Sequence, residues 1–309
     1  MSSSEVIDAA AAMLGPRARR DEPLAPFSTY RSGGPAALFL EVDDAADLEI
    51  LARAVSGTGV DVLVVGNGSN LLVADRGFPG VAIRLGRAYA DVDIDGPVVR
   101  AGGAALLPVV ARRSVKAGLT GFEWAVGVPG SIGGAVRMNA GGHGSDMSES
   151  VLGIRVFDLR NGKDGEVPAA DLEFGYRRSA VGPHSLVTAA TIGLQRGDQE
   201  ASEALLSEIV QWRRTNQPGG QNAGSVFTNP EGDSAGHLIE AAGLKGHRRG
   251  SAYVSPKHAN FFQADEGGSA DDVRRLIEEV QHRVEQESGI RLVPELRMIG
   301  FERAQGQSP

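Results

Sequence analysis

The sequence feature that most constrains the fold is a glycine-rich stretch at residues 118–144. Its glycines crowd between positions 127 and 142, with Pro129, Ser131 and Asn139 among apolar neighbours. Glycine loses more conformational freedom on folding than any other residue, so such a run needs a structural reason. A stiff, apolar loop with exposed backbone suits a ligand that has an anionic part and a planar part. The alternative is a cluster of turns that packs on itself.

The bulk composition indicates a globular chain with more than one subdomain. Its 309 residues exceed what one small core needs, and its 41% hydrophobic and 23% charged residues are ordinary. Its 42 glycines are about double the usual share, which favours many tight loops over a mixed α/β framework.

Charge and residue types exclude several classes of function. A net charge of −8 argues against a nucleic-acid interface. The absence of cysteine excludes disulfides, thiolate metal sites and cysteine nucleophiles, and the six histidines lack metal-ligand spacing. No apolar run approaches the ~20 residues of a membrane span, and the first residues lack the cations of a signal peptide. We therefore expect a cytoplasmic monomer or weak oligomer without metal, nucleic-acid or membrane partners.

Hydrophobic periodicity predicts alternating helices and strands. The predicted helices are residues 6–14, 44–55, 106–117, 200–214, 234–242 and 269–287. The predicted strands are residues 37–42, 62–65, 71–74, 81–85, 90–94, 98–101, 151–159, 185–194, 259–263 and 291–299. Residues 37–65 form a strand–helix–strand unit, and residues 90–101 form a hairpin.

A second glycine loop follows the predicted strand 62–65. It consists of Gly66, Asn67, Gly68, Ser69 and Asn70. The Gly-x-Gly spacing resembles a dinucleotide fingerprint, but position 71 is leucine and a strand follows where that fingerprint needs a helix. We therefore reject a Rossmann fold. The amides of such a turn can still hold a phosphate, supplemented by the side chains of its last two residues.

Three further positions carry polar groups that could act in chemistry. Arg177, beside Tyr176, could clamp a carboxylate, although an arginine that stacks on tyrosine at the surface is an equal alternative. Ser225 lies among small residues that leave its hydroxyl open to a ligand, although it could be a turn serine. Glu295 interrupts an otherwise apolar predicted strand, where such residues usually face water. One more loop holds Lys257, His258 and Asn260, and no segment has a nucleophile-elbow sequence.

In this order, the motifs make the chain resemble the UDP-N-acetylenolpyruvoylglucosamine reductase family of flavin enzymes. The resemblance extends over residues 30–300, and its segments are residues 30–34, 66–70, 127–142, 176–177, 224–227, 257–261 and 294–297. It implies an α+β protein: a two-subdomain FAD-binding fold of the vanillyl-alcohol-oxidase type plus a C-terminal α/β substrate domain. The implied parts are FAD-binding subdomains at 1–88 and 89–210, a substrate domain at 211–303, and a disordered tail at 304–309.

The resemblance also implies the ligands and the residues that hold them. FAD and NADPH would be the cofactors, and a UDP-sugar would be the substrate. The implied cofactor-binding residues are Tyr30, Arg31, Gly66, Asn67, Gly68, Ser69, Asn70, Gly127, Gly130, Ser131, Gly133, Gly134, Asn139 and Gly141. The implied substrate-binding residues are Tyr176, Arg213, Gln217, Asn229, Lys257, His258 and Asn260.

The implied reaction reduces an enolpyruvyl ether with a hydride that passes from NADPH through FAD. Arg177 and Glu295 would stabilise charge on the substrate carboxylate, and Ser225 would deliver a proton. The chain lacks the extra tyrosine loop of the longer family type, so we expect the shorter, second type. It departs from the family at Thr228, usually lysine, and at Val293, usually glutamate.

Two other functions fit the same sequence. A flavin oxidase of this fold would oxidise an alcohol or a sugar, and many such enzymes attach FAD through histidine or cysteine. Here cysteine is absent and the loop 66–70 has no histidine. A non-catalytic nucleotide-binding protein would be expected to lose Arg177, Ser225 and Glu295, and all three are present.

Overall fold

The computed structural model describes residues 2–301, so the predicted tail at 304–309 lies outside the described residues. The chain divides into two compact units, each made of separate segments. The first unit comprises residues 2–20, 38–67 and 80–215, and the second comprises residues 21–37, 68–79 and 216–301. The division of the chain into three parts at residues 88 and 210 stays a prediction.

Seven α-helices lie within residues 2–301. They are α1 (Ser3–Leu14), α2 (Ala45–Thr58), α3 (Leu107–Lys116), α4 (Ile132–Met138), α5 (Gln199–Asn216), α6 (Ala235–Ala241) and α7 (Ala270–Ser288). Several begin at capping side chains: Asp44 caps α2 together with Asp47, and Ser234 and Ser269 cap α6 and α7. Such caps satisfy the first amides of a helix. Six helices confirm the prediction to within a few residues, and α4 was not predicted.

The described strands are mostly short. They are β1 (Arg19–Pro23), β2 (Pro35–Val42), β3 (Val62–Val64), β4 (Leu71–Val73), β5 (Phe78–Leu85), β6 (Val92–Asp95), β7 (Val98–Gly102), β8 (Leu119–Thr120), β9 (Gly141–Gly142), β10 (Ser145–Asp146), β11 (Val151–Asp158), β12 (Asp164–Pro168), β13 (Ser185–Gly193), β14 (Gln195–Arg196), β15 (Arg248–Arg249), β16 (Ala252–Val254), β17 (Phe262–Ala264) and β18 (Arg297–Ile299).

The first unit contains two main sheets. One has the order β12–β11–β13–β7–β6 and is antiparallel throughout. The other has the order β2–β5–β3 within residues 38–85, with β3 parallel to β5. Helices α3 and α4 pack with the five-stranded sheet around a buried core that includes Val99, Val110 and Ile192, whereas α1 and α2 cover the sheet β2–β5–β3. Both sheets are thus buried on a helical side, as α+β architectures require.

The second unit is built around α7. The buried stripe of this helix is Val273, Leu276, Ile277, Val280 and Val284, spaced as an amphipathic helix requires. The stripe packs in one core with the antiparallel sheet β15–β16–β17 and with residues of α6. A parallel pair, β18 with β4, completes the unit. Because a strand occupies residues 71–73, the rejection of the Rossmann fold is confirmed at that position.

Strand β2, helix α2 and strand β3 confirm the predicted strand–helix–strand order, and β5 lies between the two strands in the sheet. Three other local predictions are wrong. The stretch 118–144 contains α4 and the 3-10 helix Glu123–Gly127, because tertiary packing overrides the low helix propensity of glycine. Residues 291–296 are irregular, and the strand begins only at Arg297; Pro294 has no amide to donate to a ladder. The strand predicted at 259–263 occupies Phe262–Ala264.

Candidate active site

The first unit contains a cavity of about 650 Å³, counting the part open to solvent. Its lining residues are Val64, Val65, Gly66, Asn67, Arg84, Leu85, Gly103, Ala104, Leu106, Ser131, Gly133, Gly134, Arg137, Val181, Ser185, Leu186 and Val187. The wall is therefore mostly aliphatic and backbone, with few polar side chains. Val64 is only half-buried because it faces this space.

Two lining glycines allow close backbone contacts. A Cβ at Gly66 would lie 2.7 Å from the Ser131 hydroxyl oxygen, and a Cβ at Gly103 would overlap the Val187 carbonyl oxygen. The Gly133 amide donates to the Gly103 carbonyl at 2.9 Å, which joins α4 to the loop after β7. A side chain at Gly103 would force these segments apart, whereas one at Gly66 would require the Ser131 hydroxyl to turn away.

The mouth of the cavity is fixed by bonds between its loops. The Asn67 side chain donates to the Pro129 carbonyl, and the Leu107 amide donates to the Gly130 carbonyl at 3.0 Å. The Ile132 amide donates to the Ala105 carbonyl at 2.8 Å. The segment 129–134 is thereby held on both sides, and it is a rigid wall rather than a free loop.

The cavity carries positive charge and no negative charge among the described residues. Arg84 and Arg137 belong to its lining, and no aspartate or glutamate does. In a chain with net charge −8, this concentration of cations favours an anionic ligand. Neither arginine was predicted from the sequence as a site residue. Arg84 had one available signal, since it interrupts the apolar run Val81–Leu85 of a predicted strand.

Five predicted cofactor residues of the first unit line this cavity, namely Gly66, Asn67, Ser131, Gly133 and Gly134. Gly127, Gly130, Asn139 and Gly141 do not line it. Asn139 is buried and joins neighbouring turns: its amide donates to Asp146 and to the Gly175 carbonyl, each at 3.1 Å, and its oxygen accepts from the Ser148 amide at 3.0 Å. Its side chain therefore organises the loops around it.

Arg177 lies on the turn that Asn139 holds. Its backbone has a φ of 56°, a left-handed conformation that few residues adopt. Its guanidinium donates to the Gly141 carbonyl at 3.2 Å and lies 5.2 Å from the centre of the Tyr176 ring, which is 62% exposed. The stacking expected of a surface arginine is therefore present, and the guanidinium is also anchored to the hairpin β9–β10.

In the second unit, the segments of Ser225 and Glu295 lie side by side. The Glu295 amide donates to the Val226 carbonyl at 2.8 Å, and Phe227 forms a backbone bridge with Pro294. The structure therefore brings Ser225 and Glu295 onto adjoining segments. Arg177 belongs to the other unit, and its meeting with these two residues at one substrate stays a prediction.

Thr228 and Val293, the two positions predicted to depart from the family pattern, contact each other. The Thr228 amide donates to the Val293 carbonyl at 2.9 Å, and the Thr228 hydroxyl donates to the same oxygen at 3.2 Å. Threonine at position 228 therefore adds a bond between the segments of Ser225 and Glu295 that a lysine could not make in the same way.

The remaining predicted cofactor residues lie in the second unit. Tyr30 is fully buried and its hydroxyl donates to the Phe262 carbonyl at 3.1 Å, and burial raises the pKa of the Tyr30 hydroxyl above its ordinary value. The side-chain amide of Asn70 donates to the Glu295 backbone carbonyl at 3.2 Å. Arg31 has a φ of 50°, and the Gly68 carbonyl accepts from the Thr29 amide. Ser69 lies between Gly68 and Asn70. Cofactor contacts of these residues stay predictions.

The predicted substrate residues occupy several environments. Arg213 and His258 are half-buried, and burial lowers the pKa of each. Lys257 is exposed, Gln217 is half-buried, and Asn229 accepts from the Ala235 amide at 3.1 Å. Asn260 is buried and bonded to the backbone of Phe227.

None of the helices within residues 2–301 is both long and apolar enough to cross a membrane. The same residues contain no group of three or more histidines and acidic residues placed to hold a metal ion.

Comparisons with known proteins match both parts of the chain. Residues 36–164 match an FAD-binding domain, and residues 215–299 match the C-terminal domain of UDP-N-acetylenolpyruvoylglucosamine reductase. The reductase of Heliobacterium modesticaldum is 45% identical over 91% of this chain and 90% of its own length. That of Methylorubrum populi is 39% identical over 99% and 100%. The crystal structure of the reductase from Thermus caldophilus superposes with a TM-score of 0.79 at 35% identity, covering 92% of this chain and 99% of that one.

The fold and the FAD-binding match define a flavoprotein, and the predicted α+β fold of the vanillyl-alcohol-oxidase type is confirmed. The identity and coverage of the relatives then decide which flavoprotein it is. The chain belongs to the UDP-N-acetylenolpyruvoylglucosamine reductase family.

Proposed function

We infer that the protein reduces the enolpyruvyl ether of UDP-N-acetylglucosamine to UDP-N-acetylmuramate, a step of peptidoglycan precursor synthesis. It is an FAD-containing oxidoreductase, and NADPH is the reductant. The observation that carries this conclusion is the sequence identity of 39% and 45% to two reductases of that name, over at least 90% of each chain.

The cavity of the first unit fits FAD. It has aliphatic walls for a ring system, glycines at positions 66, 103, 133 and 134, and two arginines in a lining that contains no aspartate or glutamate. FAD carries a diphosphate of about two negative charges, which guanidinium groups bind as planar forks. We propose that Gly66, Asn67, Ser131, Gly133 and Gly134 hold the cofactor, together with Arg84 and Arg137. The other predicted cofactor residues remain candidates on the family resemblance alone.

When bound, FAD would supply the hydride chemistry, with NADPH as the hydride source and the methylene carbon of the enolpyruvyl group as the hydride acceptor. The double bond is consumed, so the neighbouring ether-bearing carbon must gain a proton to give the saturated lactyl ether. Negative charge develops on the substrate carboxylate and its adjacent carbon before that proton arrives. The protein residues therefore have two tasks, charge stabilisation and proton delivery.

We propose that Arg177 and Glu295 stabilise the charge. Arg177 is preorganised to stabilise this charge, because its guanidinium donates to the Gly141 carbonyl and its backbone adopts a left-handed conformation. Glu295, sharing a proton with the carboxylate, would donate a hydrogen bond that strengthens as charge builds. Preorganised groups of this kind each contribute about 3 kcal/mol to a transition state.

We propose that the Ser225 hydroxyl delivers the proton. A serine is a weak acid, so it donates only when held within about 3 Å of the carbon that gains charge. The bonds of its neighbours Val226 and Phe227 to two flanking segments give the fixed backbone that this role needs. Tyr176, Arg213, Gln217, Asn229, Lys257 and His258 stay our candidates for binding the UDP-sugar.

The test is an anaerobic colour cycle in Ser225→Ala. The variant is expected to retain FAD and to bleach with NADPH as the natural protein does. Adding the UDP-sugar enolpyruvyl ether should return the yellow colour at least about 100-fold more slowly, because the proton is missing. Ser207→Ala, an exposed serine of α5, is the matched control. Loss of both half-reactions in Ser225→Ala would contradict the role of Ser225, and colour that never returns in the natural protein would contradict the reductase activity.

We further propose that the protein acts in the cytoplasm as a monomer or weak oligomer, without nucleic-acid or membrane partners. The net charge of −8 supports the absence of nucleic-acid and membrane partners, because a negatively charged surface repels polyanions. NADPH and nucleotide sugars are small water-soluble molecules of the cell interior, which supports a cytoplasmic location.

A further inference from the structure

Both polar atoms of the Asn260 side chain form hydrogen bonds with the backbone of one other residue, Phe227. Its Oδ1 accepts from the Phe227 amide at 3.0 Å, and its Nδ2 donates to the Phe227 carbonyl at 2.8 Å. The side chain is buried, with 3% of the residue exposed. A carboxamide is the side-chain group that presents one donor and one acceptor at this spacing, so it imitates a neighbouring strand.

The same residue binds the segment of Ser225 a third time. The Val226 amide donates to the Asn260 carbonyl at 2.9 Å, and Ser225 itself forms a backbone bridge with Phe261. On the other side of this segment, the Glu295 amide donates to the Val226 carbonyl at 2.8 Å. Residues 225–227 are therefore held between two segments without belonging to a regular strand, and the carboxamide of Asn260 provides the pairing at Phe227.

We propose that Asn260 is a positioning residue for Ser225: it fixes the backbone that aims the serine hydroxyl, and it does not contact the substrate. The proposal rests on the function inferred above, in which Ser225 is the proton donor. It replaces the expectation that Asn260 binds substrate, because both polar atoms of its side chain are engaged within the second unit.

The chemistry makes a specific demand on this position. Proton delivery depends steeply on distance, and a displacement of about 1 Å can cost about 100-fold in rate. Asn260→Asp keeps the size and the acceptor but replaces the donor by a second oxygen. At neutral pH that oxygen faces the Phe227 carbonyl, and the two repel. When the introduced carboxyl is protonated it can donate again, so acid should restore the bond.

The experiment follows the two half-reactions of Asn260→Asp between pH 5 and pH 8. Reduction of FAD by NADPH is expected to stay within about twofold of the natural protein, since it does not use Ser225. Reoxidation by the enolpyruvyl substrate is expected to fall about 100-fold at pH 8 and to recover at least tenfold by about pH 5. Asn161→Asp makes the same chemical change on an exposed turn, where only the acceptor is used, and it should match the natural protein.

Other titrating groups near Asn260 must be separated from the introduced carboxyl. The Nδ1 atom of His258 accepts from the backbone amide of Asn260 at 3.2 Å, and Glu240 and Lys245 act on His258 electrostatically. Asn260→Ala retains these three groups and lacks any carboxyl. It should show slow reoxidation at every pH, so its profile gives the contribution of the neighbours.

Two results would overturn the proposal. One is reoxidation of Asn260→Asp at the natural rate at pH 8. The other is equal loss of both half-reactions without recovery in acid, which indicates a general structural role. Either outcome leaves the reductase function intact if Ser225→Ala still loses reoxidation alone, so failure of the positioning role and failure of the proposed function are distinguishable.

Discussion

At the scale of single residues, Glu123 shows how hydrogen bonds keep a buried carboxylate charged. It is 4% exposed; its oxygens accept from the Ser202 hydroxyl at 2.6 Å, the Thr120 hydroxyl at 2.7 Å and the Gly121 amide at 2.8 Å. Burial by itself raises the pKa of this carboxyl, but these bonds outweigh burial and lower the pKa below 4.5. The residue begins the 3-10 helix that leads into the glycine-rich stretch, so it anchors that stretch to α5.

Glu123→Gln should lower the free energy of unfolding by about 2 kcal/mol at pH 7, because the charge-assisted bonds are lost and the Ser202 and Thr120 hydroxyls must turn to accept from the new amide nitrogen. A carboxyl whose pKa is depressed by folding stabilises most above its unfolded pKa, and the stabilisation is lost as the pH falls through the folded pKa. The difference between the two proteins should therefore be full near pH 7 and shrink as the pH falls from the unfolded glutamate pKa, about 4.3, through the lower folded pKa. Denaturant unfolding at pH 7 and at pH 3.5 measures it; a difference that does not depend on pH would contradict the argument.

Residue types were predictable from sequence, but their partners were not. Asn139, Tyr30 and Asn260 are predicted ligand-binding residues, and their side chains form hydrogen bonds within the protein; their ligand contacts stay predictions. A buried polar side chain must be satisfied by some partner, and sequence alone does not say whether that partner is a ligand or the backbone. Conversely, Arg84 and Arg137 went unnoticed because a strand and an unpredicted helix carry them to the cavity.

At the scale of elements, the start of α7 depends on a residue nearly two hundred positions earlier. The Asp75 carboxylate accepts from the Ala270 amide at 2.9 Å, the Asp271 amide at 3.2 Å and the Ser269 hydroxyl. The first amides of a helix lack partners within the helix and carry partial positive charge. Asp75 therefore caps α7 from a separate segment and joins residues 68–79 to the rest of the second unit.

Asp75→Ala should lower the free energy of unfolding by about 1–2 kcal/mol, since Ser269 alone would then cap α7. Hydrogen exchange should quicken most at the amides of Ala270 and Asp271. Asp91→Ala, which removes an exposed carboxyl outside any helix, serves as control and should change little. Unchanged exchange at both α7 amides would mean that the carboxylate does not cap the helix.

Elements with strong local signals were predicted well, and elements made by tertiary contacts were not. Helices α2 and α7 show capping residues followed by an apolar stripe, so their limits follow from local sequence. Helix α4 contains paired glycines that predict a loop, and it forms because Gly133 and Ile132 bond to the loop after β7. The irregular segment 291–296 is similarly shaped by its bonds to Val226 and Thr228.

At the scale of the whole molecule, the family was predictable because its motifs recur in a fixed order along the chain, although each is weak alone. The charge distribution was not predictable, because net charge does not locate charges. A chain with net charge −8 places Arg84 and Arg137 at one cavity without a carboxylate in its lining. This local excess is the property that an anionic cofactor recognises, and it depends on the fold.

That arrangement predicts a link between cofactor binding and stability. A ligand that binds only the folded state stabilises it by about 2.7 kcal/mol at one hundred times its Kd, so FAD should raise the Tm of the apoprotein with increasing concentration. Arg137→Met should weaken FAD about tenfold, equivalent to ~1.4 kcal/mol, and the FAD-dependent rise in Tm should shrink accordingly. Arg112→Met, an exposed arginine of α3, should leave the rise unchanged. Thermal unfolding of the three apoproteins at increasing FAD concentration measures the rise in Tm. A rise in Arg137→Met equal to that of the natural protein would show that Arg137 does not bind the cofactor.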